Sequence, residues 1–261
     1  MTQDMERVKR FYERQNEWAG VYSGEVTDAH RKNAAAILRL AGGRLGRLLD
    51  LGAGGGQNAA AAADLGYEVT AVEIVPSCLK NARKLAARAY KGGLEVVEGD
   101  FYEVEFPEPF DTVTYWDGFG IGPDEDQRML LARIASWLRP TGFGLIEVYT
   151  PWYWERAAGR EMRFGNTVRR YGFDREGSRM LDRWWPEGRE AEAVSQSLRC
   201  YSLDELEALL RGIGLALDAF EPRGSYDFES GRYFESAPIA EAMQYLAKLV
   251  PETSQAGGKG G

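Results

Sequence analysis

Histidine occurs once in this sequence, at His30, and cysteine twice, at Cys78 and Cys200. One histidine excludes a multi-histidine metal centre, and no metal-ligand spacing surrounds either cysteine. The two thiols are expected to be free, in a reducing cytoplasm. No apolar run approaches the ~18 residues that a membrane span requires. The N-terminal stretch MTQDMERVKRFYER is polar and charged throughout, unlike a signal peptide. Bases are in the minority too: 32 against 40 acids leave a net charge of -8. That argues against a surface that tracks nucleic-acid phosphates. Neither an internal repeat nor a long linker divides the chain, so residues 1–261 read as a single domain.

What is present is an ordinary globular balance, 44% hydrophobic and 28% charged. Helical spacing over residues 4 to 18 and again from Thr27 to Leu40 predicts two N-terminal helices. Strand and helix then alternate. Strands are expected at 47–51, 67–73, 94–100, 110–116 and 142–150, and helices at 57–66, 76–90 and 124–138. Short apolar strands alternating with helices predict an α/β fold with a parallel sheet covered on both faces. Ligands of such sheets sit beyond the carboxyl ends of the strands. Residues 151–200 break the pattern, with Trp152, Tyr153, Trp154, Phe164, Tyr171, Phe173, Trp184 and Trp185 among short alternating pieces. They read as an antiparallel insertion after the fifth strand. Trp184 and Trp185, adjacent on a strand, must face opposite ways. One is expected to line a pocket and the other to meet solvent or a partner. A helix over 203–214 and a strand over 215–220 follow, and EAMQYLAKL (241–249) is ambiguous between helix and strand. Residues 252–261, ending in SQAGGKGG, are expected to form a flexible tail.

The stretch LLDLGAGGGQN (48–58) ends a strand on Asp50 and crowds Gly52, Gly54, Gly55 and Gly56 before an alanine-rich helix. Glycine in that number costs backbone entropy, so something is expected to approach the backbone closely. The dinucleotide fingerprint G-x-G-x-x-G fails, because its third glycine falls on Gln57. The pattern D-x-G-x-G-x-G, from Asp50 to Gly56, instead resembles the first motif of the class I S-adenosylmethionine-dependent methyltransferases. Further elements of that family follow in order. Glu73 ends the second strand, Asp100-Phe101 follows the third, Trp116-Asp117-Gly118 the fourth, and LRPTGFGLIEV resembles the helix end, turn and fifth strand. Pro140-Thr141-Gly142 departs from the family's proline-glycine-glycine turn without touching the site.

The resemblance implies a Rossmann-like seven-stranded sheet, with 241–249 as its last, antiparallel strand. It implies S-adenosylmethionine held by Asp50, Gly52, Gly54, Gly56, Glu73, Ile74, Asp100, Phe101 and Trp116, with Glu73 on the ribose hydroxyls. Residues 1–42 would form a helical lid bringing Trp18 and Tyr22 to the cofactor, or simply pack on the domain. Residues 151–200 would bind the methyl acceptor. Asp117, Tyr149 and His30 are the catalytic candidates, with Tyr115 and Glu147 as further possible bases, and the sequence does not choose among them. No metal is expected. The implied activity is methyl transfer to nitrogen or oxygen of a small molecule, with a peptide or protein terminus as the alternative acceptor. A non-catalytic cofactor-binding module and a nicotinamide oxidoreductase are the more distant alternatives. A cytoplasmic monomer or homodimer, free of membrane and nucleic acid, completes the expectation.

Overall fold

The computed structural model describes residues 2–252. Two helices open the chain, α1 (Thr2–Ala19) and α2 (Asp28–Leu40). The alternating stretch follows as β1 (Arg47–Leu51), α3 (Gln57–Leu65), β2 (Glu68–Glu73), α4 (Pro76–Ala86), β3 (Leu94–Glu98), β4 (Phe110–Tyr115), α5 (Asp124–Trp137) and β5 (Leu138–Tyr149). Next come α6 (Pro151–Ala157), β6 (Glu161–Phe164), β7 (Thr167–Asp174), β8 (Arg179–Pro186) and β9 (Val194–Arg199). The last elements are α7 (Leu203–Leu210), β10 (Leu215–Pro222), the small hairpin β11 (Ser225–Asp227) and β12 (Arg232–Phe234), and β13 (Gln244–Pro251).

The main sheet has seven strands in the order β10-β13-β5-β4-β1-β2-β3. β13 runs antiparallel between β5 and β10, and the other strands are parallel. The ambiguous segment at 241–249 is therefore mostly strand. Alternation along β1 serves two cores. Leu49 and Leu51 pack with Ile134 and Leu206 of α5 and α7, whereas Leu48 packs with Ile37 and Ala59 of α2 and α3.

β6 to β9 form a separate antiparallel sheet in the order β6-β7-β8-β9, after the fifth strand of the main sheet. α6, with Pro151 at its start, is a helix where the sequence reading had only irregular or strand-like pieces. β5 begins earlier than expected. Its register against β4 jumps from Phe110↔Leu138 to Thr112↔Phe143, so residues 139–142 bulge out around Pro140. Of the expected tail only Glu252 is described, and its N–H donates to the Gly214 carbonyl at 2.9 Å; the rest lies outside the described residues.

Candidate active site

Two adjoining cavities open beyond the carboxyl ends of β1, β2 and β4, and they share Tyr12, Tyr22 and Asp117. Gly52, Gly54, Glu73, Ile74, Phe101 and Trp116 line the first. Gly54 has φ +55, and a Cβ there would stand 2.9 Å from the Tyr22 ring. The segment between α1 and α2 thus lies directly on the glycine loop. Asn81 fixes it, its Nδ2 donating to the carbonyls of Gly55 (2.7 Å) and Gly24 (3.1 Å).

Glu73 is buried, and three backbone N–H groups donate to its carboxylate: Gly54 at 2.6 Å, Ile74 at 2.7 Å and Val75 at 2.7 Å. Burial raises its pKa, and those bonds oppose the rise. A carboxylate offers about four acceptor positions, so one remains for a ligand hydroxyl. A mostly apolar slot with a side-chain-free floor, and with the Glu73 carboxylate apart from the shared Asp117, fits an adenosyl group.

The second cavity is floored by the small sheet. Register places inward side chains in three rows: Arg169, Trp184, Val194; Tyr171, Asp182, Gln196; and Phe173, Met180, Leu198. Arg169 forks onto Asp182, Nε to Oδ1 at 2.8 Å and Nη2 to Oδ2 at 2.9 Å. Its guanidinium lies 4.6 Å from the Tyr171 ring centre and 4.9 Å from that of Trp184. α1 forms the roof, with Phe11 packed on Trp184 and Val194.

Asp117 stands where the cavities meet. It has φ +53, one of two non-glycine residues with positive φ among those described, at a cost of about 1 kcal/mol. The Tyr149 hydroxyl donates to its Oδ1. Surrounding protein raises the Asp117 pKa, while that bond and the Arg169 charge lower it. The carboxyl nevertheless has surface open to the cavity, so water there weakens the rise.

Gly52, Gly54, Glu73, Ile74, Phe101, Trp116, Tyr22, Asp117 and Tyr149 therefore converge on the two cavities. Five expected site residues do not. Asp50 is buried beneath the loop, where Thr114 Oγ1 donates to its Oδ1 at 2.7 Å. Gly56, at φ +80, makes room for Ala82 of α4, which a Cβ would approach to 2.9 Å. Asp100 closes a local turn by accepting from the Tyr102 N–H at 2.8 Å. Trp18 packs beside Phe11 and Trp184, outside both cavities. His30 caps α2: its Nδ1 accepts from the Thr27 N–H at 3.0 Å, and burial lowers its pKa. Trp185 also departs from expectation. Opposite to Trp184 on its strand, it is only 5% exposed, because Arg170 and Arg183 lie over its ring. The Arg169–Asp182 pair, Gln15 and Gln244 were not foreseen as lining residues. Strand parity around Tyr171 and Trp184 was the available signal for the pair.

Residues 48–142 match a family described as methyltransferase domain. The match is confined to that stretch, and the fold as a whole is that of solved class I S-adenosylmethionine-dependent methyltransferases. A curated relative, the cypemycin N-terminal methyltransferase of a Streptomyces species, is 32% identical over 114 residues, 43% of this chain and 45% of the relative. A second, a protein-L-isoaspartate O-methyltransferase from Methanoculleus marisnigri, is 41% identical over 68 residues, 26% of this chain and 31% of the relative. The chain thus spans less than half the length of either curated relative. Among solved structures, the CcbJ methyltransferase from Streptomyces caelestis superposes with a TM-score of 0.71 at 22% identity, covering 93% of this chain and 98% of the other. No described helix is long and apolar enough to cross a membrane, and no metal-binding cluster occurs among the described residues.

Proposed function

We propose that this chain transfers the methyl group of S-adenosylmethionine to an amine nitrogen of a small molecule. The observation that carries the reading is the charge of the second cavity. Its lining holds the Asp117 and Asp182 carboxylates against one cation, Arg169, which Asp182 already engages on both oxygens. One carboxylate is left over. Such a site attracts an ammonium and repels a carboxylate or phenolate. Tyr12, Tyr22, Trp154, Phe164 and Trp184 add aromatic faces suited to a cation.

Gly52, Gly54, Glu73 and Phe101 would hold the cofactor. When bound, its sulfonium supplies an electrophilic methyl group. Asp117 accepts the proton that the ammonium must lose before its lone pair can attack, and its raised pKa suits it to that task. Tyr149 orients the carboxylate through its hydroxyl. Alignment of acceptor and methyl group carries much of the remaining acceleration, and the α1 roof excludes water. Residues 151–200 would set acceptor specificity without holding the cofactor. The buried free thiols of Cys78 and Cys200 support a cytoplasmic protein, and the net charge of -8 argues against nucleic-acid and anionic membrane partners; the protein would act as monomer or homodimer.

The test uses methyl-labelled S-adenosylmethionine with a small-molecule extract, untreated or N-acetylated, and with peptides bearing free or acetylated N-termini. Label should enter the untreated extract and be lost on acetylation. Label that survives acetylation would assign transfer to oxygen, and label confined to free peptides would make a terminus the acceptor. Asp117→Asn should lower turnover by about 100-fold or more while S-adenosylmethionine still binds; unchanged turnover would remove Asp117 from the mechanism.

A further inference from the structure

β4 ends on Tyr115, which pairs with Leu51 of β1 on one side and Ile146 of β5 on the other. Its ring is buried, with the rings of Phe101 and Phe119 set edgewise to it at 5.5 and 6.5 Å between centres. The hydroxyl therefore has a fixed place, and it donates to the Gly118 carbonyl at 2.9 Å. That bond closes a loop. The Tyr115 side chain forms one side of it, and the main chain of Trp116, Asp117 and Gly118 forms the other. Asp117, at φ +53, stands inside the closed loop. A Cβ on Gly118 would come within 2.6 Å of the hydroxyl oxygen, so glycine is what allows the closure.

The chain beyond the loop is held from outside as well. Glycine recurs at Gly118, Gly120 and Gly122, and the last two have φ +105 and +85. Such a segment has little conformational preference of its own. Gln127 of α5, 1% exposed, supplies the missing constraint. Its Oε1 accepts from the Gly120 N–H at 3.0 Å, and its Nε2 donates to the Ile121 carbonyl. Tyr115 and Gln127 both line the first cavity, whereas the Asp117 carboxylate they frame is shared with the second.

We infer that Tyr115 and Gln127 are positioning residues for Asp117: the Tyr115 hydroxyl closes the loop that carries it, and the Gln127 amide fixes the glycine turn into which that loop runs. The functional meaning rests on the amine reading above, but the placement is tested without any acceptor. Carboxyl and phenol carbons are followed by NMR in the full chain, free of ligand. Asp117 and Tyr149 report on the hydrogen bond they share, and Asp182, forked onto Arg169 in the same cavity, is the internal control. Tyr115→Phe removes a single oxygen atom and should shift the Asp117 carboxyl and Tyr149 phenol signals while Asp182 stays in place. Gln127→Met should shift the same two signals and speed exchange of the Gly120 amide by about tenfold. If Gln127→Met does not fold, Tyr115→Phe decides. Unmoved Asp117 and Tyr149 signals in the folded variants overturn the proposal even if Gly120 exchanges faster, because the two residues would then only satisfy buried main-chain groups. An equal shift at Asp182 overturns it too, as a general loosening of the site. With saturating methyl-labelled S-adenosylmethionine and the untreated extract, Tyr115→Phe should lower turnover by about tenfold or more. A shifted Asp117 signal with unchanged turnover would support the placement and overturn Asp117 as the base.

Discussion

Replacing Asp50 by asparagine should change how stability depends on pH. Asp50 is 1% exposed in β1, and its Oδ2 has no hydrogen-bond partner. Burial is the main cause that pushes its pKa up to about 7 from 3.8; the Thr114 hydroxyl opposes the rise and the Glu73 charge adds to it. The native chain therefore keeps this proton to near pH 7, whereas the unfolded chain releases it near pH 3.8. Between those values the native state binds more protons, so stability falls as pH rises, and the fall is complete above about 7. The distance between the two values corresponds to at most about 4 kcal/mol. Asparagine carries no charge at any of these pH values. Its carbonyl can still accept from Thr114, and its amino group meets the same lack of partners as the protonated acid. At pH 5 the variant should lie within about 2 kcal/mol of the parent. It should then gain on the parent up to about pH 7 and level off towards pH 8. Urea unfolding of both proteins at pH 5, 6, 7 and 8 measures the difference. Glu73, whose pKa is also raised, is common to both chains. Parallel stability curves would refute the reasoning, since they would mean that Asp50 is ionised in the native state throughout.

Glu73→Gln places an amino group against at least one of the three donors that now meet the carboxylate, costing about 1.5 to 3 kcal/mol and about 3 to 12 °C in Tm. Calorimetry should also show at least about tenfold weaker S-adenosylmethionine binding. Gly56→Ala combines positive φ with a 2.9 Å approach to Ala82 and should cost about 2 to 5 kcal/mol in urea unfolding. Gly159→Ala, with φ +84 and open space, should cost only about 1 kcal/mol. Once an acceptor is known, Trp184→Ala should damage turnover strongly and leave cofactor affinity within a few fold. Trp185→Ala should cost about 3 kcal/mol of stability with turnover kept.

The first strands of the main sheet were legible because short apolar runs there alternate with helical patterns, and alternation along β1 supplies both cores. The ambiguous last strand was not decidable by period, since its pairing with β5 and β10 is a long-range property. Glu73 was legible by its strand-end position, but its burial and its three backbone donors were not, so its removal should perturb folding. Asp100 and His30 lie outside both cavities, in a turn and a cap, which use the same residue types as sites do. Trp185 shows a different failure. Strand alternation correctly set it opposite Trp184, but two arginines cover the face that was expected to be open. The Arg169–Asp182 fork needs the register of β7 against β8, which sequence spacing does not supply.

The position of Asp117 follows from how the two sheets are joined. The glycine loop after β1 and Glu73 at the end of β2 build one cavity, and the small sheet after β5 builds the other. β4 lies between β1 and β5 in the main sheet, so the turn after it is the segment that both sides reach. The small sheet is also tied to that turn. Ile121 bridges to Leu198 of β9, and Arg199 N–H and Arg179 Nη2 both donate to the Gly120 carbonyl, at 2.8 and 3.0 Å. A shift of the small sheet therefore pulls on the turn carrying Asp117 as well as on the floor of the second cavity. Changes in residues 151–200 that alter the second cavity can thus be absorbed only if they leave the Gly120 contacts in place. Substitutions along the inward rows of β7 and β8, away from Gly120, have more freedom to vary than substitutions at Arg179 or Arg199.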